Sequence, residues 1–208
     1  MYSFPVACFE EAIRYASTFT SVGAGTLQAM IEIFAQNDDI HFAGALASVL
    51  GQEGEQGGFY RVLQQKVPNE LPFLTTGTRE FLFSWLHGVI STESCPSLDM
   101  IDLPVFAPLN LITDPAPETA NITFTFDSRE GGTPVNPVFI NQQNTPIVQP
   151  MSVLSSVGTV ITAQAEFPYD EYEMNGLTIV VLTNHTGPFV DAQAVANATV
   201  FGPAFIVL

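Results

Sequence analysis

A chain of 208 residues, 47% of them hydrophobic and 17 of them Phe, is long enough for one large domain or two small ones with a real core. Five Lys and Arg against 21 Asp and Glu leave a formal charge of −16. That excludes nucleic acid and anionic membrane surfaces as partners, because both need a positive face. No uninterrupted apolar run of about 18 residues is present, so no membrane span is expected.

In chain order, residues 5–36 carry helical spacing. Phe9, Ile13, Ala16, Thr20, Gly23, Leu27, Met30 and Phe34 recur at three- and four-residue intervals, which predicts one buried stripe. Pro5 suits a first turn, and Glu10 and Glu11 favour the dipole there. Asn37-Asp38-Asp39 predicts a turn and an N-cap for a second helix ending before Pro68. Its apolar stripe runs through Phe42, Leu46, Val49, Leu50, Tyr60 and Leu63, and Glu53 and Gln56 continue it, while Gln52 and Glu55 point elsewhere. A loop over Pro68–Thr76 leads to a third helix over Thr78–Ile90, and Ser91–Thr119, rich in Pro, Asp and Leu, reads as an extended linker.

From Asn121 the texture changes to short β-branched and aromatic runs between Gly, Pro and Asn. Strands are expected at Asn121–Phe126, Val138–Ile140, Ile147–Leu154, Thr159–Phe167, Leu177–Thr183, Phe189–Val200 and Ala204–Leu208. Seven short strands at this spacing suggest an antiparallel β-sandwich. The fold class expected is α+β, with a helical portion over 1–92, a Pro-rich linker over 93–119 and the β-sandwich over 120–208.

Two cysteines, Cys8 and Cys95, either close a disulfide around nearly the whole helical half or remain free thiols. Asn121, Asn184 and Asn197 each open an N-glycosylation sequon. Chance supplies about this many in a Ser/Thr-rich chain. The functional alternative is a secreted, extracellular or cell-wall protein, and since MYSFPVACFEEA lacks a basic stretch followed by an apolar one, its signal would lie outside this chain.

Glu53 carries the chemical question. A carboxylate on an apolar helix face is costly unless paired, protonated or metal-bound. His41, His87 and His185 are scattered over separate elements, no nucleophile elbow or phosphate loop is present, and the acidic run from Tyr169 to Glu173 lacks the ligand spacing of an EF-hand.

SFP near the start, TSVGAG at 20–25, GQEGEQGGFYRVLQQKVP around Glu53, the PFLT loop and Cys95-Pro96 resemble the ferritin-like proteins of fungi and bacteria. The closer likeness is to a fungal secreted branch, some of whose members are described as late-sexual-development or stress-response proteins. The resemblance covers about Tyr2–Leu109 and implies the carboxy-terminal part of a longer ferritin-like chain, without counterparts of the first two bundle helices. Metal-binding relatives offer a Glu where this chain has Thr20, and Glu-x-x-His where it has Glu53 and Gln56. An amide replaces imidazole poorly at a first-row metal.

The resemblance therefore implies a degenerate bundle with no catalytic residues and no cofactor. It would be a structural or developmental protein acting by assembly, through self-association or pairing with a missing amino-terminal bundle half. The alternatives are an iron- or manganese-dependent oxidoreductase or iron-binding protein with Glu53 as the surviving ligand, completed by a missing segment or partner chain, and glycan or cell-wall binding through the β portion.

Overall fold

The computed structural model describes residues 1–67 and 73–208. Of the loop expected over Pro68–Thr76, only 73–76 lie within the described residues, and the predicted helix end before Pro68 is realised as a helix that stops at Leu63. The described chain forms two compact units, one from residues 1–67 with 77–105, the other from 73–76 with 106–208. No helix among the described residues is long and apolar enough to cross a membrane.

The first unit is a helical hairpin with a short third helix. Helix α1 (Phe9–Gln36) has Glu10 and Glu11 in its first turn and leads through Asn37–Asp39 into α2 (Ile40–Leu63). Asp38 takes φ 60°, a left-handed conformation that Asp tolerates, and this lets two long helices turn back on each other. Phe34 and Phe42 stack across that turn with ring centroids 5.2 Å apart.

The buried side of α1 follows the predicted stripe in part. Of that stripe Thr20 is buried, Ile13, Ala16, Gly23, Leu27, Met30 and Phe34 are half-buried and Phe9 is exposed, while Ser17, Val22, Ala24, Gly25 and Thr26, off the stripe, are buried. The reason lies in α3 (Arg79–His87), which covers a second side of α1 and draws residues from off the stripe into contact. Trp85 of α3 lies 5.2 Å from the Tyr15 ring and 5.9 Å from the Phe19 ring, and Phe81 is fully buried.

The third helix is shorter than the predicted Thr78–Ile90. Thr78 is its N-cap, its hydroxyl accepting from the Phe81 N–H at 3.3 Å. It ends at Gly88 because the next residues pair with the amino terminus: the Ser3 N–H donates to Val89 O and the Ser91 N–H to Met1 O, both at 2.9 Å. Cys8 is the exposed N-cap residue of α1 and Cys95 is half-buried after a 3₁₀ turn at Thr92–Ser94. Both are free thiols, which corrects the disulfide alternative: they sit on separate local turns and their sulfurs do not pair.

The second unit holds two antiparallel sheets. One runs β1 (Asn110–Leu111), β2 (Ala120–Asp127), β6 (Val160–Phe167), β5 (Ser152–Val157); the other runs β4 (Ile147–Val148), β3 (Asn136–Asn141), β7 (Leu177–Thr183), β8 (Thr199–Val207). Both contribute to one core containing Phe124, Phe139, Phe167, Leu182, Phe201 and Ile206. Phe126 of β2 lies 4.7 Å from Phe201 of β8, and Phe139 of β3 lies 5.7 Å from Phe167 of β6, ring centroid to ring centroid. Along β2 the buried residues Ile122, Phe124 and Phe126 alternate, as period-two patterning requires. All seven residues of β7 are buried, so this interior strand is covered on both faces and shows no alternation.

Three expectations change here. The single strand expected over Ile147–Leu154 is two strands in different sheets, because Pro150 removes a ladder donor between them. The strand expected over Phe189–Val200 is instead helix α5 (Ala192–Ala198), capped by Asp191, whose carboxylate accepts from the Ala194 N–H at 2.7 Å; β8 begins only at Thr199. The segment read as a linker contains the 3₁₀ turns Thr92–Ser94 and Leu98–Met100 as well as β1.

A short helix α4 (Tyr169–Tyr172) carries the acidic run. Beside it lies a buried amide network, in which Asn141 Nδ2 donates to Asn175 O, Leu177 O and Thr178 Oγ1 at 3.0–3.1 Å. The Thr75 hydroxyl accepts from the Gln142 N–H at 2.8 Å and donates to Leu177 O, anchoring residues 73–76 to this unit.

Candidate functional site

Within the helical unit, a cleft of about 340 Å³ lies between α1, α2 and the amino-terminal segment. Phe4, Val6, Ala12, Tyr15, Ala16, Phe19 and Thr20 line it on one side, and Glu53, Gln56 and Tyr60 on the other. The pairing of residues 1–3 with 89–91 delivers Phe4 and Val6 to its rim. Thr20 and Gly57 fix how closely the helices approach at one end: a Cβ added at Gly57 would stand 3.6 Å from Thr20 Cγ2.

Thr20, Glu53 and Gln56, singled out from sequence, thus share one wall-to-wall space. Thr20 is buried, and Glu53 and Gln56 are half-buried. Among the described residues neither Glu53 nor Gln56 makes a side-chain hydrogen bond or ion pair. Among the described residues no Lys, Arg or His lines the cleft.

The aromatic lining was not singled out as a site from the sequence, because Tyr15, Phe19 and Tyr60 at helical spacing read as core. Tyr15 touches Phe4 as well as Trp85, with ring centroids 5.6 Å apart for the former pair. Its hydroxyl is buried without a hydrogen-bond partner among the described residues, and burial pushes its pKa above the ordinary phenol value.

These donors do not fit a di-iron centre. One carboxylate, one amide and one hydroxyl supply neither the carboxylate number nor the imidazoles such a centre uses, and no group of three His, Cys, Asp or Glu side chains converges among the described residues. The three histidines lie on separate elements: His41 on α2, His87 at the end of α3, and His185 after β7, whose Nδ1 accepts from the Gly187 N–H at 3.0 Å.

The three sequon asparagines are exposed, Asn121 on β2, Asn184 after β7 and Asn197 on α5. Comparison with protein-family models and with curated proteins gives no match for this chain.

Proposed function

We propose that the chain is a secreted, non-catalytic assembly protein. In this reading its helical unit is a degenerate ferritin-like half-bundle completed by a second copy of itself, and its two sheets form an antiparallel β-sandwich. The observation that carries the reading is the outward face of α2. Gly44, Gly51, Gly54 and Gly58 have nothing within 4 Å of where a Cβ would stand. Around them Ile40, Phe59 and Val62 are 72%, 60% and 72% exposed.

A solvated helix gains nothing from four such glycines, each costing about 1 kcal/mol against Ala. A helix against which another backbone must pack closely does gain, since the missing Cβ shortens the approach. With Ala47 they form a seven-residue repeat, Gly44-Ala47-Gly51-Gly54-Gly58, the period of a two-helix seam. Glu55 and, seven residues beyond Gly54, Arg61 are the charged side chains on this face. A two-fold antiparallel pairing about Gly51 sets Gly44 against Gly58 and holds the two Glu55 carboxylates about 12 Å apart along the axis. Two hairpins joined this way place four helices side by side.

The exposed sequon asparagines support the secreted setting, and the donor set at Glu53 supports a role without metal chemistry. Light scattering during size-exclusion chromatography of the full chain tests the assembly. The expected mass is twice the 22.5 kDa of one chain, and Gly51→Arg should return it to one chain with helix content unchanged. A monomer at every concentration would rule the reading out.

A further inference from the structure

The cleft between α1 and α2 has the composition of a small-molecule site. Its volume of about 340 Å³ falls within the range of ligand pockets, and its wall is mostly apolar. Four aromatic rings, Phe4, Tyr15, Phe19 and Tyr60, surround a single carboxylate, Glu53, that has no ion-pair or hydrogen-bond partner among the described residues. Such a carboxylate beside aromatic faces favours one kind of guest. A cation gains from the carboxylate and from the ring faces together, whereas an anion loses on both counts. A strongly hydrated metal ion would find one carboxylate where it needs several oxygens, so the complementary charge is an organic one.

We propose that this cleft binds an apolar organic cation, an alkylated amine or quaternary ammonium, with Glu53 facing the charge. The site is built within one helical unit and does not rest on the assembly reading. A chain that proves monomeric can still bind, and a dimer can still fail to.

The chain contains its own reporter. Its sole tryptophan, Trp85, packs on the cleft residues Tyr15 and Phe19. Fluorescence titration of the full chain with butyrylcholine should give a saturable one-to-one change. The neutral carbon isostere 3,3-dimethylbutyl butyrate should bind about tenfold more weakly, and butyrate should not compete. Glu53→Gln, a half-exposed isosteric change, should weaken butyrylcholine about tenfold. Equal affinity for the charged and neutral probes, or no saturation with either, would overturn the proposal. That comparison uses the unsubstituted chain and decides the matter even if a variant fails to fold. An unchanged affinity in folded Glu53→Gln would overturn it as well.

Discussion

At Gly202 the backbone adopts φ +126°, and the Val180 carbonyl oxygen lies 3.1 Å from where a Cβ would stand. Any side chain there meets both a disfavoured conformation and a backbone atom that cannot move aside. Gly202→Ala should lower stability by about 1–3 kcal/mol in urea denaturation, and an unchanged midpoint would contradict the local geometry. Asp127 makes a different kind of local statement. Its carboxylate accepts from the Arg129 side chain and N–H at 2.8–3.2 Å and from the Thr159 hydroxyl at 3.0 Å.

These bonds, led by the Arg129 side chain, hold its pKa well below the ordinary carboxylate range. A carboxylate whose folded pKa is depressed stabilises the fold above its unfolded pKa and loses that contribution as pH falls through the folded one. Asp127→Asn should therefore lower the melting temperature at pH 7 and have a smaller effect as pH drops below about 4. The effect should be small at any pH, because the pair is solvent-screened. At the two cysteines, thiol titration of the native chain should find both sulfurs reactive, the exposed Cys8 before the half-buried Cys95; resistance of both would indicate a bridge.

Among the elements, α3 is the shortest α-helix of its unit and covers a second side of α1. Phe81 is fully buried and the Thr78 hydroxyl caps the first turn. Phe81→Ala should cost about 3–5 kcal/mol through the cavity it leaves, whereas Thr78→Ala should cost about 1 kcal/mol through the lost cap. Denaturation followed by Trp85 fluorescence would rank the two, and a reversed order would show that α3 is held mainly by its cap. Sequence reading was uneven at this scale. The helical hairpin of α1 and α2 was legible because two long periodic segments flank an Asn-Asp-Asp turn. Strands β2, β6 and β7 were legible because β-branched and aromatic residues fill them. Residues 189–200 misled, because Val190, Val195 and Val200 suggest a strand while the Asp191 cap and the alanines that follow it favour a helix turn.

For the whole molecule, the division into a helical and a β unit means that each carries its own core, and the two differ in how completely they cover it. The β unit seals Phe124, Phe139, Phe167 and Phe201 inside two sheets, while α2 leaves Ile40, Phe42, Phe59 and Val62 in solvent. In the proposed assembly this exposed apolar face is the surface that a second copy covers. The proposed pairing has a thermodynamic consequence: the melting midpoint of the helical unit should rise with protein concentration, and Gly51→Arg should remove that dependence. A midpoint independent of concentration in the unsubstituted chain would contradict self-association.

The sequence by itself determined the succession of helices then strands, the turn between the two long helices and the shared side of Glu53 and Gln56 on α2. Each of these is encoded by residue spacing within a single element or its immediate cap. Only the tertiary structure decided which face of α1 is buried, how the strands partition between two sheets, that Cys8 and Cys95 are free thiols, and that Phe4, Tyr15, Phe19 and Tyr60 line one cleft with Glu53. Those outcomes depend on which elements pack together, and periodicity along one element carries no record of its partner.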